Sequence, residues 1–232
     1  MIDDHEEIST GVILAEFVAV FRRNWPVLLI AGAAAGLMQF VERFENRQKL
    51  YGTLGVAATI LVVYAVSLTT QALVGRAVLV REQLADPGTP ARYGAFLGAS
   101  IVYVLGIGFG FVLLIVPGVL LMLRWILATN FTLARGLAVG DALRASRDAT
   151  AGRRGAIFGA IVVLALCIYL PLYVLIRMAG GVGLDLSADP LSVVSITRVV
   201  WAIFAGMAGM AFNVGAFSVV VGRAGHLREV FA

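Results

Sequence analysis

Charge-free apolar runs recur along the chain at residues 24–41, 50–75, 93–123, 155–176 and 199–222. A membrane-crossing helix needs about 20 mainly apolar residues, so four of these runs predict one span each. The run at 93–123 is different, because apolar character continues past Arg124 to Leu133. From Gly94 to Ala138 there are 45 residues, about 68 Å of helix at 1.5 Å per residue, too long for one crossing and enough for two. Inside it lies "LLIVPGVLLMLRWILA", residues 113–128. Pro117 removes a backbone donor and disfavours helical geometry at Val116, and proline suits the first turn of a new helix. The Pro117-Gly118 pair therefore predicts a tight helical hairpin, with its turn facing the outside. A single kinked helix would tolerate the proline but not the length.

The pattern predicts six spans, at about 26–41, 52–75, 94–116, 118–138, 155–177 and 197–222, in a single membrane domain covering 1–232. Two further segments read as amphipathic interfacial helices. In residues 8–24, Ser9 or Thr10 is a candidate cap, and Ile13, Leu14, Phe17, Val20 and Phe21 fall on one face at helical spacing. Trp25 stands where a belt aromatic is expected, and Pro26 opens the first span. The helix is expected along the inner leaflet; the same pattern fits one packed beneath the bundle. Between spans four and five, "GDALRASRDATAGRRG" offers Asp141 as N-cap and an Arg144–Asp148 pair four residues apart.

Composition and charge agree with a lipid solvent. The chain of 232 residues is 60% hydrophobic and 14% charged, where soluble domains run about 45–50% and about 25%. With the N-terminus inside, the inner segments hold Arg22, Arg23, Arg76, Arg81, Arg92, Arg135, Arg144, Arg147, Arg153, Arg154, Arg223 and Arg228. The outer ones hold Arg43, Arg47, Lys49 and Arg177. That asymmetry follows the positive-inside rule and predicts cytoplasmic termini. The acidic start "MIDDHEEIST" lacks a positive n-region, so no cleaved signal peptide is expected. Cys167 cannot form an intrachain disulfide, being the one cysteine, and reads as a small buried hydrophobe.

Small residues recur four apart in the apolar runs: Gly32/Gly36, Gly94/Gly98, Gly106/Gly110, Gly155/Gly159 and Ala205/Gly209. Such pairs let helices approach closely, within a chain or between copies. The chemistry on offer is sparse. No Asp or Glu falls inside a span, and His5 and His226 lie near the termini. Intramembrane Ser-His catalysis, paired aspartates and metal clusters are thereby disfavoured, as are phosphate-binding and dinucleotide loops. No enzyme, cofactor, metal site or nucleic-acid partner is expected. Asp185 and Asp189 in the outer loop read as solvated acids.

Arg124 stands out. It lies six residues beyond Gly118, near the limit of snorkelling to the outer face. A guanidinium in lipid needs a partner or water. Gln71, Ser100 and Asn213 are candidate acceptors; an anion or phospholipid headgroup is another, since guanidinium suits bidentate phosphate. Arg153 and Arg154 are candidates for the same headgroup chemistry at the inner surface. An arginine that locks the hairpin to its neighbours fits equally simple physics. Trp125 reads as a packing residue.

The stretch "LIVPGVLLMLRWILA" followed by "GDALRASRDATAGRRGAIFG" resembles a bacterial membrane family that includes the membrane domain fused to some glycerophosphoryl diester phosphodiesterases. The shared pattern is a hairpin at Val116-Pro117-Gly118, then Ala142-Leu143 and Ser146, then Gly152 or Gly155. Relatives often carry a proline where this chain has Thr129-Asn130-Phe131, and a tryptophan where it has Arg147. The phosphodiesterase's metal-binding acids and histidines have no counterparts. The resemblance implies a six-span inner-membrane fold and a loose tie to lipid metabolism, without catalysis.

Three roles are open at this point: a non-enzymatic protein that binds or moves a lipid or amphiphile; an adaptor that binds another membrane protein or a second copy of itself; and a channel or uniporter lined by polar residues such as Ser67, Thr69, Thr70, Gln71, Thr129, Asn130, Thr132 and Asn213.

Overall fold

A computed structural model describes residues 8–48, 53–181 and 193–222. Among these residues eight α-helices follow in order: α1 Thr10–Gln48, α2 Thr53–Arg81, α3 Tyr93–Leu113, α4 Ile115–Trp125, α5 Ala128–Arg135, α6 Val139–Ala149, α7 Arg154–Gly181 and α8 Val193–Phe217, the last continuing into a π turn at Ser218–Gly222. No strand occurs among the described residues. Among the described residues, six stretches are long and apolar enough to cross a membrane: Thr10–Val41, Ala58–Arg81, Tyr93–Leu113, Ile115–Arg135, Arg154–Met178 and Val194–Gly222. Leu61, Phe109 and Val112 are 70%, 66% and 83% exposed. Apolar surface left open on this scale needs a lipid solvent, and the chain is an all-α, multi-pass membrane bundle.

Two compact units share these helices. The first is built from the described parts of Met1–Arg23, Gly75–Ile161 and Ala211–Ala232. Its core includes Ile13, Val20, Leu79, Phe96, Leu127, Ile157 and Phe217, all nearly or fully buried. Phe131 meets Phe217 edge-on at 5.1 Å and Phe17 meets Phe212 at 6.5 Å, orientations that aromatic quadrupoles favour. The segment expected as a separate leaflet helix at 8–24 is instead the first part of α1, which runs unbroken through Pro26. Its apolar face is packed in protein. The Thr10 hydroxyl donates to the Ala156 carbonyl at 3.3 Å, and the Phe17 backbone lies against Gly215. Pro26 removes only the bond to the Arg22 carbonyl, beside exposed Arg22 and Arg23, where solvent can replace it.

The hairpin is present, with its turn three residues earlier than expected. Leu114 alone is extended (φ −163°, ψ 145°), and Pro117 is the third residue of α4 rather than the break. Proline needs no helical partner in a first turn. Gly118 supplies closeness rather than the bend: a Cβ on Gly110 would lie 2.7 Å from the Gly118 Cα and 2.9 Å from its N. We expect Gly110→Val to force α3 and α4 apart at about 1–3 kcal/mol, the range for overpacking. Gly94→Val, with nothing within 4 Å, is the contrast. Denaturant titration of both variants in detergent checks the pair; equal losses would refute the backbone contact.

The expected fourth span is also interrupted. Helix α4 stops at Trp125 and α5 starts at Ala128. Gly136, at φ +61°, ends α5 in the left-handed conformation that glycine adopts freely. Helix α6 begins at Val139, so Asp141 sits in its first turn rather than at the cap, where its charge still favours the helix dipole. Arg144 pairs with Asp141 at 3.9 Å, both exposed, instead of with Asp148. Ala142 and Ser146 point inward, and α6 packs on α3, α4 and α5.

The second unit is built from the described parts of Asn24–Val74 and Val162–Met210. Here α1 and α8 pack through small residues. A Cβ on Gly32 would sit 2.5 Å from the Ile203 carbonyl, one on Gly36 2.5 Å from the Ile203 side chain, and one on Gly206 2.9 Å from Ala35. Trp201 Nε1 donates to the Ile168 carbonyl at 2.7 Å.

Six of the nine glycines in the pairs four residues apart, Gly32, Gly36 and Gly110 among them, lie against a neighbour. Gly98 faces Val139, Gly106 faces the Trp125 ring and Gly159 faces Thr10. Gly94, Gly155 and Gly209 face open space, because one member of a four-residue pair can sit at a crossing point while the helices diverge at the other. Cys167 is exposed on α7 rather than buried.

Candidate functional site

The densest polar construction in the first unit surrounds the break between α4 and α5. Breaking a helix orphans backbone groups, and in an apolar setting each must find a partner. Ser146, fully buried on α6, serves two of them. Its hydroxyl donates to the Arg124 carbonyl at 2.8 Å and accepts from the Leu127 N–H at 3.2 Å. Asn213 on α8 serves a third, its Nδ2 donating to the Ile126 carbonyl at 3.2 Å. Asn130 on α5 then ties α8 in place: its Nδ2 reaches the Asn213 Oδ1 at 2.6 Å and the Asn213 carbonyl at 2.9 Å. Three side chains from three helices hold one helix break.

Arg124 occupies this break, close to α6 and ten residues from the turn at Leu114. Its Nε is buried without a hydrogen-bond partner. The adjacent Trp125 packs on Gly106 as expected. Of the proposed acceptors, Asn213 bonds to the break itself, Ser100 to the Phe96 carbonyl and Gln71 to Ser67. Arg153 precedes α7 and donates to the Val220 carbonyl at 2.9 Å, holding the π turn. Arg154 opens α7, and its Nε is likewise buried and unpartnered.

Of the polar residues considered as a conduction path, Asn130 and Asn213 are committed to the break and to each other, and several others bond within their own helix. Thr69 and Thr70 donate to the Ala65 and Val66 carbonyls of their own helix, both at 2.8 Å, and Thr132 donates to the Thr129 carbonyl. Among the described residues no group of three or more His, Cys, Asp or Glu could hold a metal. Asp185, Asp189, His5 and His226 lie outside the described residues.

One structural arginine has no signal in the sequence. Arg76, near the end of α2, donates to three carbonyls: Leu133 at 2.7 Å, Thr89 at 2.7 Å and Asp86 at 2.5 Å. It clamps the 82–92 connection to the end of α5. In sequence it is one of several inner arginines, and nothing local marks it. Arg23 pairs with Glu82 at 2.9 Å and Glu16 at 3.2 Å, and Arg135 covers the Phe131 ring at 5.3 Å.

No protein-family model matches this sequence, and neither a curated protein nor a solved structure matches it.

Proposed function

We propose that this protein is a non-enzymatic lipid-binding protein of the bacterial inner membrane, with cytoplasmic termini, and that Arg124 takes the phosphate of an anionic lipid headgroup. The observation that carries this reading is the buried, unpartnered Nε of Arg124 beside a helix break. A guanidinium held near the membrane is costly without a counter-charge, and neither α3 nor α4 carries a carboxylate to supply one. Phosphate accepts two parallel N–H bonds from such a fork. Arg154, with the same unpartnered Nε, is a second contact of this kind. The resemblance to the phosphodiesterase-associated membrane family supports the tie to lipid chemistry.

Purification with native lipids, followed by mass spectrometry of what is retained, tests it. Arg124→Leu, with folding verified, is expected to lose anionic phospholipid by about tenfold, the equivalent of one charged hydrogen bond. Arg124→Lys, which keeps the charge without the fork, falls between. An unchanged lipid profile in folded Arg124→Leu would make Arg124 a structural lock, and stoichiometric recovery of another protein would then favour the adaptor reading.

A further inference from the structure

We infer that Arg198 heads a second site for an anionic phospholipid, in the second unit, with the acyl chain lying along the seam of α8 between its contacts with α1 and α7. The ligand class rests on the lipid-binding reading above. The residues do not, because the site shares none with Arg124 or Arg154.

Charge comes first. Arg198 is half-buried in the second turn of α8, and its Nε is buried without a hydrogen-bond partner. Helices α2, α7 and α8 contain no Asp or Glu. On α1, Gly36 meets Val199 of α8, and Glu42 and Glu45 stand about 120° and about 180° round that helix from Gly36. A guanidinium in such a setting needs a counter-charge from outside the protein, and a phosphate fits its fork.

The space beside it has the shape of a chain. Ala202, Ala205 and Gly209 follow Arg198 at four, seven and eleven residues, which sets all four on one face of the helix. On one flank Trp201 donates to the Ile168 carbonyl of α7. On the other, Val199 and Ile203 meet Gly36 of α1. The bulky exposed residues Ile196, Val200 and Phe204 lie on the opposite face. Gly209 is exposed, and a Cβ there would meet nothing within 4 Å. Small residues alone would make only a packing face; the unpartnered arginine above them is what selects a lipid.

Direction and length agree. Helical side chains lean toward the helix N-terminus, so the guanidinium points toward the start of α8 and away from the seam. The rise from Arg198 to Gly209 is about 16 Å, close to half of the roughly 30 Å of hydrocarbon. That is the depth of one acyl chain with its headgroup at the arginine.

Titration of the delipidated protein in detergent with phosphatidylglycerol, read by native mass spectrometry, tests the site. Arg198→Leu is expected to lose one bound phosphatidylglycerol per chain, through about tenfold weaker binding. Arg198→Lys should fall between, having charge without the fork. Gly209→Leu enters open space, so it should weaken the same lipid and leave the thermal midpoint unchanged. Arg124→Leu should lose a different lipid and the double variant both. Loss in Arg198→Leu alone upholds this site even where Arg124→Leu loses nothing. An unchanged count in folded Arg198→Leu and Arg198→Lys overturns it, and unchanged binding in Gly209→Leu removes the chain from the seam. Full displacement of the lipid by inorganic phosphate would make free phosphate the ligand. Equal retention of phosphatidylcholine would leave the arginine without a role. Either result also overturns the inference.

Discussion

Ser146→Ala is expected to destabilise the protein by about 2–3 kcal/mol, out of proportion to one lost hydroxyl. Removing the oxygen leaves the Arg124 carbonyl and the Leu127 N–H facing a buried apolar site, and each unsatisfied buried group costs about 1–3 kcal/mol. The expected readout is a thermal midpoint in detergent lower by about 5 °C or more. Arg147→Ala, one residue on and exposed, should leave the midpoint nearly unchanged. If the two variants behaved alike, Ser146 would not be what holds the break. Because Asn213 caps the neighbouring Ile126 carbonyl, Ser146→Ala and Asn213→Leu share one structural element. Their combined effect is expected to fall short of the sum, as for other coupled neighbours.

Arg76→Met should have an effect of similar size by a different route. The side chain keeps its apolar stem but loses three bonds to carbonyls of two separate segments. Hydrogen bonds from a charged donor contribute about 1.5–3 kcal/mol each in favourable settings. The site is only half-buried, so a net loss of about 3 kcal/mol is expected rather than the full sum. The local signature is release of the 82–92 connection. Limited proteolysis there should accelerate in Arg76→Met but not in Arg81→Met, whose side chain is exposed on the same helix. Unchanged cleavage with a lowered midpoint would mean that Arg76 acts through packing alone.

Much of the candidate site was visible in the residues before it was visible in space. Arg124 was marked by its charge within an apolar run, and Ser146 only as part of the pattern that carries the family resemblance. Asn130 and Asn213 were visible as polar residues in spans, but their partnership, 83 positions apart, has no local trace. Arg76 had no signal at all: an arginine near a helix end reads the same whether it faces water or three carbonyls. The interruption at Ile126–Leu127 was equally hidden. It contains neither proline nor glycine, and it exists because side chains from α6 and α8 meet the groups it frees.

The lipid solvent, the six apolar helices and the presence of a hairpin near Pro117 follow from the sequence itself, because run length, charge placement and proline chemistry are local properties of the chain. Where the hairpin turns, whether residues 8–24 form a separate helix, and which glycines are crossing points were decided by tertiary structure. Leu114 rather than Pro117 breaks the helix because the close approach of Gly110 and Gly118 fixes where the two arms meet. Residues 10–24 continue into α1 because their apolar face finds protein to pack on. Contacts between distant segments choose among local possibilities that the chain leaves nearly equal in free energy.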